Sequence, residues 1–308
     1  MGKTAFLFPG QGAQYLGMGR DVASLYKNSK QIFTMASEAL DMDVESLCYE
    51  EEDKLNQTEY TQPAILTTTM AILEAVKEHG IEADVMAGLS LGEYSALVAG
   101  DVLDFKEAVK LVRKRGKFME EAVPDGKGSM AAVLGLTPEV VEDICGDIDG
   151  IVMPANYNCP GQIVIAGEVE ALNEACSKLE EAGARRVLKL NVSGPFHTPM
   201  LRDAANRLSE ELEEIALNDI KTPYITNVTG ELVEDSQDIK TLLTKQVVSP
   251  VRWEETIKNM IDDGVETFIE IGPGKSLSGF VKKIDKSKQI LNIQDIKSLE
   301  KAIRILDI

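Results

Sequence analysis

Asp84-Val85-Met86-Ala87-Gly88-Leu89-Ser90-Leu91-Gly92-Glu93-Tyr94-Ser95-Ala96-Leu97-Val98-Ala99-Gly100 is the stretch from which the fold is read. An apolar run, residues 85–87, enters the turn Gly88-Leu89-Ser90-Leu91-Gly92. Beyond it Leu91, Tyr94, Leu97 and Val98 recur at helical spacing until Gly100. The pattern is strand, tight turn, helix, with a serine on the turn. Flanking glycines allow a strained turn that exposes the hydroxyl, and the N–H groups opening the next helix aim at the same place. A serine so placed is suited to attack a carbonyl and to have the resulting oxyanion stabilised. In a chain with 24 Gly among 308 residues, a plain strand-to-helix turn also satisfies the motif.

Outward from this turn, strands alternate with helices. Residues 4–8 read as a buried strand ending at Pro9, followed by the loop Gly10-Gln11-Gly12-Ala13-Gln14. A glycine-rich loop after a first strand suits phosphate binding, yet neither Walker nor dinucleotide spacing follows and a plain turn satisfies the pattern equally; either way its backbone amides remain available to a neighbouring oxyanion. Residues 21–55 are helical but broken, with Glu50 to Asp53 as a solvated acidic face. Pro63 opens a helix through Ile65, Met70, Ile72, Leu73 and Val76, which His79-Gly80 ends; His79 reads as a helix-end cation. Further strands are expected at 224–228, 267–271 and 289–293. The alternation predicts an α/β large domain with a mainly parallel sheet.

Asp104, with Glu107 three residues on, caps a helix in which Ala108, Leu111, Val112, Arg115 and Met119 share one stripe. Lys110, Arg113, Lys114 and Lys117 lie largely on the other faces. Arg115 thus points where the apolar residues point and needs an anion; an internal acid or an arginine that snorkels outward would also satisfy the pattern. From 126 to 192 the order reads β-α-β-β-α-β, with strands at 129–136, 151–155, 162–166 and 186–192 and helices at 138–145 and 170–182, the split unit of ferredoxin-like folds. Pro124-Asp125-Gly126 and Ser193-Gly194-Pro195 bound it, so residues 126–195 form an inserted subdomain within a catalytic domain of residues 1–125 and 196–308. Its exit loop carries His197, just before the helix start Thr198-Pro199. That position disfavours the protonated imidazole and suits a neutral base, although a loop histidine with a purely local hydrogen bond fits the same spacing.

The formal charge of −19 and pI near 4.6 exclude a general nucleic-acid binder. Cys48, Cys145, Cys159 and Cys176 show no ligand-like pairing and read as reduced thiols. No stretch reads as a signal peptide or a membrane span, so the expectation is a cytoplasmic protein, monomeric by default. Gly272-Pro273-Gly274-Lys275-Ser276 lacks the earlier glycine of a phosphate loop and reads as a turn. The helix after it leaves Lys275, Lys282, Lys283 and Lys286 outward. On so acidic a chain this is either a solvated face or, with Arg185 and Arg186 as a second candidate, a docking surface for an acidic partner.

Over essentially its full length the chain resembles the malonyl-CoA:acyl carrier protein transacylases. The resemblance is carried by FPGQGAQ at 8–14, TEYTQPA at 58–64, GLSLGEYSAL at 88–97, RGKFMEEAVP at 115–124, NCPGQIVIAG at 158–167, FHTPM at 196–200, QVVSPVRW at 246–253 and EIGPGKSLSG at 270–279. It implies a hydrolase-like α/β domain interrupted by a ferredoxin-like one. It further implies Ser90 as acylated nucleophile, His197 as base, an oxyanion hole from the amides of Gln11 and Leu91, and Arg115 as ligand of the malonyl carboxylate. A main-chain carbonyl near Gln246 would orient the histidine in place of an aspartate, and Asn158 would lie near the cleft. The implied partners are malonyl-CoA and acyl carrier protein, and the chemistry needs no metal or redox cofactor. Leu89 departs from the histidine that many members carry before the serine, and Phe196 is consistent with a malonyl-sized pocket.

Overall fold

The structure, a computed structural model, describes residues 2–124, 126–192 and 194–308. Asp125 and Ser193, which the sequence places at the junctions of the insert, lie outside the described residues. In chain order the strands are β1 (Lys3–Phe8), β2 (Val85–Gly88), β3 (Gly128–Leu134), β4 (Val152–Cys159), β5 (Gln162–Glu168), β6 (Arg186–Lys189), β7 (Tyr224–Ile225), β8 (Val265–Ile271) and β9 (Gln289–Ile293). The helices are α1 (Arg20–Leu25), α2 (Lys27–Leu40), α3 (Val44–Tyr49), α4 (Glu52–Leu55), α5 (Thr58–Glu78), α6 (Leu91–Ala99), α7 (Phe105–Glu121), α8 (Pro138–Gly146), α9 (Val169–Glu181), α10 (Arg202–Glu213), α11 (Ile239–Gln246), α12 (Trp253–Asp262), α13 (Ser276–Ile284) and α14 (Ile296–Leu306).

A five-stranded parallel sheet runs in the order β7-β2-β1-β8-β9. Its strands are continuous apolar runs because helices cover both faces: Phe6 and Phe8 face one core, Ala5 and Leu7 the other. A second, four-stranded antiparallel sheet has the order β4-β5-β3-β6, which is what β-α-β-β-α-β produces when its two halves interleave. Alternation divides its side chains cleanly. Ala131, Val133, Ile163 and Ile165 pack on α8 and α9, while Met130, Val164 and Ala166 join the core of the large sheet. The α/β class with a small antiparallel unit is therefore as the sequence predicts.

Two boundaries differ in an instructive way. Helix α5 starts at Thr58, and Pro63 lies inside it where an opening position was expected. The start is displaced upstream because the Glu120 carboxylate, from α7, accepts from the amides of Thr58 at 2.7 Å and Glu59 at 3.3 Å and caps the first turn from outside. Strand β4 runs on to Cys159, past the expected end at residue 155, because Val251 brackets it: Val251 N–H donates to the Ala155 carbonyl and Tyr157 N–H to that of Val251. That extension puts Asn156 and Asn158 on a strand facing the large sheet's site. All four cysteines are free and buried, and no helix of the described residues is long and apolar enough to cross a membrane.

Candidate active site

The serine turn is held open by backbone crowding. A methyl at Gly88 would collide with the Gly92 backbone, and one at Gly92 with the Phe8 carbonyl. Both glycines are thus required by close approach of β2, α6 and the end of β1. The backbone strain falls on Ser90 itself, at φ 53° and ψ −103°, against the expectation that glycine would carry it. Gly10 packs against the Leu89 carbonyl, which brings the Pro9-Gly10-Gln11 loop beside the serine. Neither the Gln11 nor the Leu91 backbone N–H has an acceptor among the described residues.

His197 comes from the loop before α10 and also sits at positive φ, 61°. Its Nε2 lies 2.8 Å from Ser90 Oγ and its Nδ1 2.8 Å from the Gln246 carbonyl oxygen. A carbonyl only accepts, so Nδ1 carries the proton in the neutral ring and Nε2 is the acceptor for the serine hydroxyl. That carbonyl is available because Gln246 ends α11, where the last turn leaves carbonyls without helical partners. The imidazole pKa is lowered to about 4, first by burial and then by the Arg115 charge. The sequence predicts a neutral histidine for a different reason, the adjacent helix start.

Arg115, 1% exposed, does not snorkel, and among the described residues it forms no ion pair with an acid. Its Nη1 donates to Gln62 Oε1 at 2.8 Å, and its Nη2 to Gln246 Oε1 at 3.0 Å and Ser90 Oγ at 3.1 Å. All three acceptors are neutral. The Tyr94 ring lies 5.4 Å from the guanidinium carbon, and Nε has no hydrogen-bond partner among the described residues. Burial pushes the guanidinium pKa down while Tyr94 and Glu93 oppose the shift, and so basic a group remains a cation. A dry cation with no neutralising contact is a site for an incoming anion.

These groups open into a cleft of about 740 Å³ between the two sheets, lined among others by Gln11, Ser90, Arg115, Asn158, Phe196 and His197. Asn158 Oδ1 is buried there without a partner among the described residues. The structure thus brings together Ser90, His197, Arg115 and Gln246 in direct contact, with Gln11 and Asn158 on the cleft wall. Lys275, Lys282, Lys283, Lys286, Arg185 and Arg186 are exposed and remain outside it. Sequence reading passed over Gln62, Glu93 and Asn227. The first two stand inside the motifs 58–64 and 88–97; Asn227 follows β7 with only its polarity after an apolar strand to mark it.

The acyl transferase domain family matches residues 5–304. The malonyl CoA-acyl carrier protein transacylase of Bacillus subtilis is 46% identical over 310 residues, covering 99% of this chain and 98% of that protein. The crystal structure of the malonyl CoA-acyl carrier protein transacylase of Clostridium perfringens superposes with a TM-score of 0.97 at 51% identity, covering 99% of this chain and 97% of that one. A malonyl-transacylase solved in complex with its type II PKS acyl-carrier protein has a TM-score of 0.96 at 41% identity over 98% of this chain and 99% of that one.

Proposed function

The chain belongs to the acyl transferase domain family, and from that premise we infer that it is a malonyl-CoA:acyl carrier protein transacylase serving fatty acid synthesis. The observation that carries the malonyl assignment is Arg115, a buried cation held by neutral acceptors 3.1 Å from the serine hydroxyl. An acyl group that ends in a carboxylate fits between the two, and the planar guanidinium fork suits two-point contact with it.

In the mechanism we propose, His197 Nε2 takes the Ser90 proton as Oγ attacks the malonyl thioester carbon. The oxyanion faces the free N–H groups of Gln11 and Leu91, each donor worth on the order of 3 kcal/mol in such a site. Collapse breaks the C–S bond, the proton on His197 passes to the departing CoA sulfur, and a malonyl ester remains on Ser90. In the second half His197 takes the proton of the carrier protein's phosphopantetheine thiol, whose sulfur attacks the ester carbon; the Ser90 Oγ–C bond breaks and the proton passes from His197 to the departing Oγ. The protein's part in these steps falls to the side chains of Ser90 and His197 and the backbone amides of Gln11 and Leu91. Asn158 lines the acyl pocket, and Phe196 bounds it to a malonyl-sized volume.

We further propose that residues 126–195 are an inserted unit within a catalytic one of residues 1–125 and 196–308. The pairing of β3 to β6 with one another supports this. The chain is read as cytoplasmic and monomeric. The acidic carrier protein docks on the exposed lysines of α13, Lys282 and Lys283, with Lys275 and Lys286 beside it, or on Arg185 and Arg186 before and at the start of β6. The α13 region adjoins the cleft-lining residues Ser276 and Phe280, whereas Arg185 and Arg186 lie at the opposite end of β6 from the cleft-lining residues Leu190 to Val192.

Intact-mass measurement tests both half-reactions. Malonyl-CoA should add one malonyl group at Ser90, and holo carrier protein should remove it to its own thiol. Failure of Ser90 to acylate overturns the assignment, and release of free malonate with none on the carrier would make the protein a hydrolase.

A further inference from the structure

Glu93, on the first turn of α6, is fully buried, a costly place for a carboxylate. Its Oε1 has no hydrogen-bond partner among the described residues, and burial raises its pKa. Its Oε2 accepts twice, from Asn227 N–H at 3.0 Å and from Gln246 Nε2 at 2.7 Å.

What those two residues hold gives the carboxylate its meaning. Asn227 takes the Ser90 N–H on Oδ1 at 2.6 Å and donates from Nδ2 to the Gly88 carbonyl at 2.7 Å, gripping the turn on both sides. Gln246 Nε2 also donates to the Ser90 carbonyl at 3.0 Å, while its main-chain carbonyl holds His197 Nδ1. The peptide groups on both sides of Ser90 and the orienter of the base therefore converge on one oxygen. Ser90 sits at a positive φ of 53° with ψ −103°, a strained conformation that relaxes unless surrounding groups over-determine it.

We propose that Glu93 is a positioning residue for acyl transfer: through Asn227 and Gln246, its Oε2 fixes the strained serine and the histidine in one frame. Glu93 touches neither reacting atom, and its link to Arg115 runs through the Gln246 amide. The inference rests on Ser90 and His197 being the reacting pair, as proposed above.

Three variants of the full chain, Glu93→Ala, Glu93→Gln and Glu93→Asp, decide it in single-turnover acylation of Ser90 by malonyl-CoA and acetyl-CoA. Loss of the frame in Glu93→Ala should slow acylation about 100-fold with either donor, the scale of a misplaced reactive group, while half-saturation changes less than about 3-fold. Glu93→Gln keeps an acceptor at the same reach and should recover to within about 10-fold of wild type, whereas the shorter Glu93→Asp should stay near the alanine variant. If the alanine variant does not fold, the glutamine and aspartate pair still gives the ordering. The proposal is overturned by an alanine variant as fast as wild type. It is also overturned by Glu93→Asp outperforming Glu93→Gln, which would mean that charge is what matters, or by a loss confined to malonyl-CoA. A wild-type chain that accepts acetyl but not malonyl would remove the malonyl reading alone; the same variants read with acetyl-CoA would still decide the role of Glu93.

Discussion

The two sheets face one cleft and contribute to it in different ways. The parallel sheet and its helices supply Ser90, Arg115, Gln246 and the free amides, all fixed by backbone crowding or buried hydrogen bonds. The antiparallel sheet supplies walls, Met130, Asn156, Asn158 and Val164, from strand faces that pack on the other core. Reacting groups cluster where parallel strands end, beside helix N-termini, because unpaired amides gather there. The smaller sheet decides the width and polarity of the space in front of them. Changes on the first side should therefore alter whether chemistry occurs, and changes on the second how well a particular acyl group or partner is received.

The sharpest break of that contrast is Ser90→Ala, which should abolish the acyl-enzyme in intact-mass measurement. His197→Ala should slow acylation by about 1,000-fold, the middle of the range for general-base assistance. The histidine also sets the pH response. With its pKa lowered to about 4, the neutral base is present throughout neutral pH, so the acylation rate should be flat from about pH 8 to pH 5 and fall only as the ring protonates near 4. An acid limb centred near the ordinary histidine value would mean that the imidazole is solvated in the working enzyme.

Next in size is Arg115→Ala, expected to reduce malonyl transfer by about 100-fold relative to acetyl transfer in paired kinetics, because the carboxylate loses its buried partner. Equal losses with both donors would remove its role in selection. From the small sheet, Asn158→Ala should change the specificity constant for malonyl-CoA by about 3- to 10-fold, one polar contact's worth. A larger loss would show that the walls take part in chemistry. Smallest is charge reversal of the exposed Lys282 and Lys283, expected to raise the half-saturating carrier concentration about 3-fold at low salt and to leave the malonyl-CoA half-reaction unchanged.

The features legible in the sequence were those with a local period. The strand, turn and helix around Ser90, the buried stripe carrying Arg115 and the β-α-β-β-α-β order all follow from spacing within one element or one unit. What escaped was decided by distant pairs. Glu120 sets the start of α5 from 62 residues away, so Pro63, a good first-turn residue, misplaced it. Val251 extends β4 from further still along the chain, pairing with Ala155 and Tyr157. Asn227 and Gln246 meet the serine turn only through tertiary contact, and no spacing rule connects positions 90, 227 and 246. His197 shows a subtler case, where the neutral state was expected but its cause, burial beside a cation, belongs to the assembled site.

Arg115 has a thermodynamic consequence through the three neutral oxygens around it. The guanidinium is stripped of water when the chain folds, so an arriving carboxylate exchanges ligands with amide and hydroxyl oxygens and displaces little solvent from the cation. Only the anion dehydrates at the moment of encounter. Recognition of the charged end of the acyl group should then carry a favourable enthalpy from oxygen-for-oxygen replacement, with little of the entropy gain that water release from a hydrated arginine would bring.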